Sequence, residues 1–117
     1  MDTVKYIFDN AKKMAEEGNF LPVWGTCLGY EAMVLALSNY QLQREQISSE
    51  NHSLNLQLNP SYRKLFLTYL GEDLIKAVNE QPISYFNHKY AFLPSQIRNS
   101  CLKEDLQILS TVKLENN

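Results

Sequence analysis

Residues 20–31 have the sequence Phe20-Leu21-Pro22-Val23-Trp24-Gly25-Thr26-Cys27-Leu28-Gly29-Tyr30-Glu31, and the rest of the chain is organised around them. An apolar run typical of a buried strand comes first, and an apolar run typical of a helix follows it. Between the two runs, Gly25 and Gly29 bracket Cys27. Small residues at these places allow a strand to turn sharply into a helix around a residue with strained backbone angles. The pattern predicts a nucleophile elbow with Cys27 at its tip.

A cysteine at such a turn has a definite chemical role. The turn lifts the sulfur clear of the sheet and points it along the next helix, whose N-terminal partial positive charge favours thiolate over thiol. We therefore predict that Cys27 is a catalytic nucleophile and that the Leu28 N–H is one oxyanion-hole donor. The alternative is that Cys27 is a small buried hydrophobic residue, since free cysteine is among the most buried residue types.

The same residues carry a family resemblance. The run from Pro22 to Glu31, with a tryptophan before the cysteine and a glutamate after it, resembles the elbow of gamma-glutamyl hydrolases, within the class I glutamine amidotransferase-like superfamily. The whole run is much more specific than a Gly-x-Cys-x-Gly core. The resemblance implies an α/β fold, part of a doubly wound, mostly parallel sheet with flanking helices, incomplete at both ends. It also implies an omega peptidase that cleaves the gamma-glutamyl bonds of folate polyglutamates through a thioester on Cys27.

Apolar periodicity divides the chain into alternating helices and strands. Helices are predicted at residues 3–17, 28–39, 62–69 and 72–79, with another from Pro94 through Ser100. Strands are predicted at residues 20–24, 54–58 and 106–114, with another leading into a loop within 83–92. The polar residues 41–53 are predicted to be an exposed connection. Helix, strand, elbow and helix in that order are typical of a doubly wound sheet.

Composition and charge bound the kind of partner. A chain of 117 residues is long enough for one modest core, and we predict a single partial domain over residues 1–117. Eleven basic and thirteen acidic residues give a net charge of -2, which argues against a nucleic-acid partner. No apolar run approaches the roughly 18–20 residues that span a bilayer, so neither a membrane partner nor a targeting signal is predicted. Two cysteines and two histidines without ligand-like spacing predict no metal and no cofactor.

Three further residues are candidates for roles beside the nucleophile. His88 lies in a segment similar to the one in which gamma-glutamyl hydrolases place a substrate-binding histidine, whereas a lone histidine among aromatic residues is more often structural. Glu31 follows Cys27 by one helical turn, and the resemblance implies a supporting role for it. Its alternative is a solvated surface carboxylate. His52, in a polar stretch, is predicted to be exposed to solvent.

Two family motifs do not occur in the chain. It has no His-Pro-Glu, which carries the triad histidine in the superfamily, and no Pro-Gly-Gly, which supplies the other oxyanion donor. We expect both active-site flanks to lie outside this chain, and the chain alone to be inactive. An incomplete sheet would expose edges, so aggregation or a homodimer is expected.

Two other functional classes stay open from the sequence. One is a glutaminase subunit that delivers ammonia to a synthetase, which the elbow resembles less closely than it resembles a hydrolase. The other is a non-catalytic α/β interaction module that keeps the elbow as architecture. The family resemblance implies a lysosomal, vacuolar or secreted location.

Overall fold

The computed structural model of the protein describes residues 2–115. The helices are α1 (Asp2–Glu16), α2 (Leu28–Leu37), α3 (Arg63–Tyr69), α4 (Glu72–Glu80) and α5 (Pro94–Arg98). The strands are β1 (Glu45–Leu54), β2 (Gln57–Leu58), β3 (Ser84–Ala91) and β4 (Ser110–Thr111), and short 3-10 turns lie at Pro60–Tyr62 and Cys101–Lys103. The predicted domain also includes Met1, Asn116 and Asn117, which lie outside the described residues.

The strands form two small antiparallel sheets. β1 pairs with β3, with Glu45 opposite Ala91 and Leu54 opposite Ser84. The register of this pair shifts on either side of Ser49, and such irregularities bend a strand and re-aim its side chains. β2 pairs with β4 over two residues each. The architecture is therefore mixed α/β.

The parallel part of the fold prediction is not seen within residues 2–115, where both sheets are antiparallel. Residues 20–24, predicted to be a strand, form no ladder, and that prediction is wrong for this chain. The side chains of Phe20 and Trp24 are 80% and 91% exposed. A strand is stabilised by hydrogen bonds to a neighbouring strand, and none of the described residues supplies one to this segment.

Three other predictions fail, wholly or in part, because strand pairing is a long-range property. The predicted strand at 54–58 is interrupted, since Leu54 ends β1 and only residues 57–58 form β2. The other two predictions concern longer segments. Residues 41–53 are not a loop, since β1 begins at Glu45 and pairs with a segment about 40 positions later. The predicted strand at 106–114 contracts to the two residues of β4. In both places the polar or apolar pattern of the segment is a weaker signal than the presence or absence of a partner strand.

Helix predictions agree with the structure to within one or two residues at each end. α2 stops at Leu37 because Asn39 and Tyr40 take positive φ angles of 49° and 60°, which no helix can continue. Behind α2 lies the core, which is built from side chains far apart in the sequence. Its buried members are Val34, Phe92, Ile97 and Leu102.

Candidate active site

Cys27 lies at the turn that enters α2. It is not a glycine, yet its backbone angles are φ 56° and ψ -116°. Such angles are costly for residues with a Cβ and are concentrated at functional sites. The turn is closed by hydrogen bonds from the Gly29 N–H to the Thr26 carbonyl at 2.9 Å and from the Glu31 N–H to the Cys27 carbonyl at 3.1 Å. The sharp turn predicted from the glycine pattern is present.

The two glycines of the turn have different roles. A Cβ on Gly25 would lie 2.2 Å from Met33 Sδ and 2.8 Å from the Gly29 carbonyl carbon, closer than real Cβ atoms approach. A Cβ on Gly29 would meet nothing within 4 Å. Close packing at the turn therefore requires glycine at position 25 and not at position 29, where the sequence prediction had also placed a steric requirement.

The Cys27 thiol is exposed, in contrast to the alternative of a buried structural cysteine. Its Sγ lies 3.9 Å from Nδ1 of His88, which belongs to β3. This distance is long for a hydrogen bond even to sulfur, but catalytic hydrogen bonds are often long before substrate binds. The fold thus brings together two of the predicted site residues, which are 61 positions apart.

His88 is held in place through its backbone and its ring. The Ser49 hydroxyl, fully buried, donates to the His88 carbonyl at 3.0 Å. The Phe86 ring meets the imidazole edge to face, with centroids 6.5 Å apart. Ser49 was missed by sequence reasoning, because its pairing with His88 depends on the register of β1 against β3.

A cavity of about 400 Å³ opens over the thiol. Trp24 lines it on the side of the turn, and its indole N–H donates to the Thr26 hydroxyl at 2.9 Å. The ionisable side chains in its wall are Cys27 itself, two tyrosines, Glu31 and His88. No lysine or arginine from residues 2–115 lines it. The volume is in the range of pockets that bind small molecules.

Glu31 is mostly buried, which disagrees with its alternative as a solvated carboxylate. Its Oε2 accepts a charge-assisted hydrogen bond from Nη1 of Arg44 at 2.5 Å. The Arg44 guanidinium also lies over the Tyr90 ring, 4.7 Å from the ring centroid. Burial, together with the adjacent Glu31 carboxylate, raises the pKa of Tyr30 above its usual 10.0. Sequence reasoning missed Arg44 and Tyr90, although Tyr90 shares the strand face of His88.

Leu28 directly follows Cys27 in the chain, and His52 lies on β1. Leu28 is the first residue of α2, where backbone N–H groups have no partner within the helix. His52 is exposed, but on β1 and not in a loop.

No cluster of three His, Cys, Asp or Glu side chains able to hold a metal ion occurs among the described residues. Across the same residues, none of the helices has both the length and the apolar character that crossing a membrane requires.

Sequence comparison identifies relatives of nearly the whole chain. Gamma-glutamyl hydrolase 1 of Arabidopsis thaliana is 28% identical over 119 residues, which is 99% of this chain and 34% of the relative. Gamma-glutamyl hydrolase B of Dictyostelium discoideum is 27% identical over 93% of the chain and 32% of its own length. Gamma-glutamyl hydrolase of Rattus norvegicus is 29% identical over 91% of the chain and 34% of its own length.

This chain is similar to the gamma-glutamyl hydrolases. The resemblance predicted from residues 22–31 is thereby confirmed over a much larger part of the sequence. The chain spans about a third of the length of the curated relatives it matches. No model of a protein family matches it.

Proposed function

We propose that this chain carries the nucleophile of a cysteine hydrolase that cleaves gamma-glutamyl bonds. The observation that carries the proposal is the exposed Cys27 thiol at a strained turn before α2, with its Sγ 3.9 Å from His88 Nδ1. The open cavity over the sulfur and the names of the relatives support it. The substrates in this proposal are poly-gamma-glutamyl small molecules such as folate polyglutamates.

In the proposed reaction, the Cys27 sulfur attacks the carbonyl carbon of the gamma-linked amide. The carbonyl oxygen becomes an oxyanion that the Leu28 N–H stabilises as one of its donors. Cleavage of the C–N bond releases the amine, which takes the proton lost by the thiol, and leaves a thioester on Cys27. Water then attacks the thioester, which frees the carboxylic acid and returns the proton to the sulfur. The sum of these steps is hydrolysis of one amide bond.

His88 is proposed to bind and orient substrate beside the sulfur. A catalytic base is normally oriented by a third group, and among residues 2–115 no hydrogen bond to Nε2 of His88 is present. This argues for a substrate contact and against a complete base within the described chain. The sequence has no His-Pro-Glu, so we propose that the base comes from a segment that carries that motif in a protein of the relatives' length.

The larger architecture belongs to the same proposal. In a protein of that length, residues 20–24 would become a strand of a doubly wound parallel sheet, because the exposed apolar side chains of Phe20 and Trp24 would be covered by neighbouring elements. Residues 1–117 would then be one part of a single hydrolase domain. A lysosomal, vacuolar or secreted location follows from the family resemblance.

The test measures glutamate released from a benzoyl poly-gamma-glutamate. We compare this chain with an extended protein in which the chain is joined to family-like flanks carrying Pro-Gly-Gly and His-Pro-Glu. Activity is expected only in the extended protein, and His88→Asn should weaken it there. Turnover by the 117-residue chain that disappears on His88→Ala would make His88 the base. An extended protein that folds and does not hydrolyse the substrate would favour the non-catalytic module.

A further inference from the structure

We propose that Arg44 is a positioning residue that holds the Cys27 end of α2 against His88 on β3. The inference rests on the proposed role of Cys27, and it concerns a residue outside the predicted site. Arg44 directly precedes β1 and makes two contacts in opposite directions. Its Nη1 donates to Glu31 on α2, and its guanidinium stacks on Tyr90 of β3.

The contact with α2 acts close to the nucleophile. Glu31 lies one turn after Cys27, and its N–H donates to the Cys27 carbonyl at 3.1 Å. The Glu31 side chain is only 12% exposed, and a buried carboxylate is strongly destabilised unless a cation pairs with it. Within residues 2–115, Arg44 is the cation that pairs with Glu31. The first turn of α2 is therefore held where the Arg44 guanidinium can reach it.

The contact with β3 acts close to the histidine. Tyr90 follows His88 by two positions, and residues two apart in a strand lie on the same face. A guanidinium 4.7 Å from a tyrosine ring centroid is within the range of a cation–π interaction. Tyr90 also faces Gln46 across the β1–β3 ladder, so Arg44 joins the strand pair to the helix.

The chemistry of arginine is what the arrangement requires. A guanidinium can present a flat face to an aromatic ring while its edge donates to a carboxylate, whereas an ammonium is a compact point charge without that shape. The titratable side chains that line the cavity over the Cys27 thiol are Tyr30 and Glu31 from α2 and His88 and Tyr90 from β3. Arg44 does not line this cavity and acts on it through its contacts with Glu31 and Tyr90. Glu31 is paired with Arg44, and the contact between the Cys27 sulfur and an ionisable side chain is the one with His88 Nδ1, at 3.9 Å.

The test measures how far the reactivity of Cys27 depends on His88. The rate of alkylation by iodoacetamide, a neutral reagent, is followed at Cys27 by peptide mass spectrometry in four versions of the full chain. These are the unsubstituted chain, His88→Asn, Arg44→Met, and the double variant. With Arg44 present, His88→Asn should slow alkylation of Cys27 by about threefold or more, a size typical of coupled neighbouring residues. With Arg44→Met, His88→Asn should have no further effect, because the sulfur and the imidazole are no longer held together.

The chain contains matched controls. Cys101 is a second exposed thiol, and its alkylation rate should be the same in all four proteins. Arg63→Met breaks the exposed Arg63–Glu72 pair and should leave the coupling between Cys27 and His88 intact. Arg44→Lys keeps a positive charge near Glu31 without the stacked plane, and it should restore part of the coupling.

The outcomes separate this inference from the proposed function. The role of Arg44 is overturned if Cys27 alkylation depends on His88 as strongly in a folded Arg44→Met chain as in the unsubstituted chain. If Arg44→Met does not fold, the same result in Arg44→Lys overturns it. Neither result bears on the function of Cys27. A Cys27 thiol that is inert in the unsubstituted chain, while Cys101 reacts, overturns the proposed nucleophile and the positioning role together. Loss of coupling in Arg44→Met with retention in Arg63→Met supports both.

Discussion

Cys27 and Cys101 are both free, exposed thiols, and each lies at the start of a helical segment. Cys27 has a positive φ angle, a histidine nitrogen 3.9 Å from its sulfur and an open cavity above it. Cys101 begins a 3-10 turn, and no hydrogen bond to its thiol occurs among the described residues. The cavity beside Cys101 is lined mainly by amide and hydroxyl side chains. Exposure and a position at the start of a helix are therefore common to the two thiols. What distinguishes Cys27 is His88, which the fold places beside its sulfur.

The largest expected difference between the two thiols is in catalysis. In the extended protein, Cys27→Ser should lower the rate of gamma-glutamyl hydrolysis by at least about a thousandfold, because residues of a catalytic unit act together. Cys101→Ser should leave the rate within about twofold, since surface substitutions away from a site are usually neutral. Equal losses in both variants would mean that Cys27 has no special role.

A second difference concerns the packing of the turn. Gly25→Ala should lower the free energy of unfolding by about 1–3 kcal/mol, the cost of forcing extra volume into packed atoms. Its new methyl group would meet Met33 Sδ at 2.2 Å and the Gly29 backbone at 2.8 Å. Gly29→Ala is the matched control and should be neutral or stabilising by up to about 1 kcal/mol, because alanine is favoured over glycine in a helix. Urea unfolding of both variants measures the contrast, and a neutral Gly25→Ala would contradict the close approach at the turn.

Backbone strain provides a third, smaller contrast. Glycine adopts positive φ without a steric penalty, so Cys27→Gly should raise the free energy of unfolding by about 1 kcal/mol relative to Cys27→Ala. Cys101 is not among the described residues with positive φ. Cys101→Gly should therefore be less stable than Cys101→Ala, by about 0.5–1 kcal/mol. Thermal melting of the four variants tests this, and the same sign of effect at both positions would show that Cys27 is unstrained.

The smallest expected effect involves Tyr30, in the wall of the Cys27 cavity. Its pKa is raised by burial and by Glu31, so the folded chain favours the neutral phenol more than the unfolded chain does. The contribution of Tyr30 to the free energy of unfolding is fully present below pH 10.0 and is lost as the pH rises above that value. The reason is that Tyr30 ionises at a lower pH in the unfolded chain than in the folded chain. Tyr30→Phe should make the alkaline loss of stability less steep, as measured by urea midpoints up to about pH 11. Tyr69→Phe, at a 78% exposed position, should leave the slope unchanged. Identical slopes in both variants would contradict the burial of Tyr30.

Parts of the candidate site could be predicted because they are encoded locally. The spacing of Gly25, Cys27 and Gly29 predicted a sharp turn into a helix, and the turn is present. The requirement for glycine holds only at position 25, because a Cβ there would lie 2.8 Å from the Gly29 backbone, which cannot move aside as the flexible Met33 side chain can. The approach of His88 to Cys27 was suggested by resemblance alone, since no rule of spacing relates residues that far apart.

The helices and the aromatic-rich strand β3, predicted within residues 83–92, were determined by the sequence itself, whereas the other strands were decided by tertiary structure. α1, α3 and α4 follow from apolar residues three and four positions apart, because a helix satisfies its hydrogen bonds within one segment. Residues 20–24 look like a strand and form none, while the polar residues of β1 form one, because a strand needs a partner from elsewhere in the chain. The site divides in the same way between local and long-range contacts. The turn that strains Cys27 is local, whereas the contacts of His88 and Arg44 form only when β1, β3 and α2 pack together.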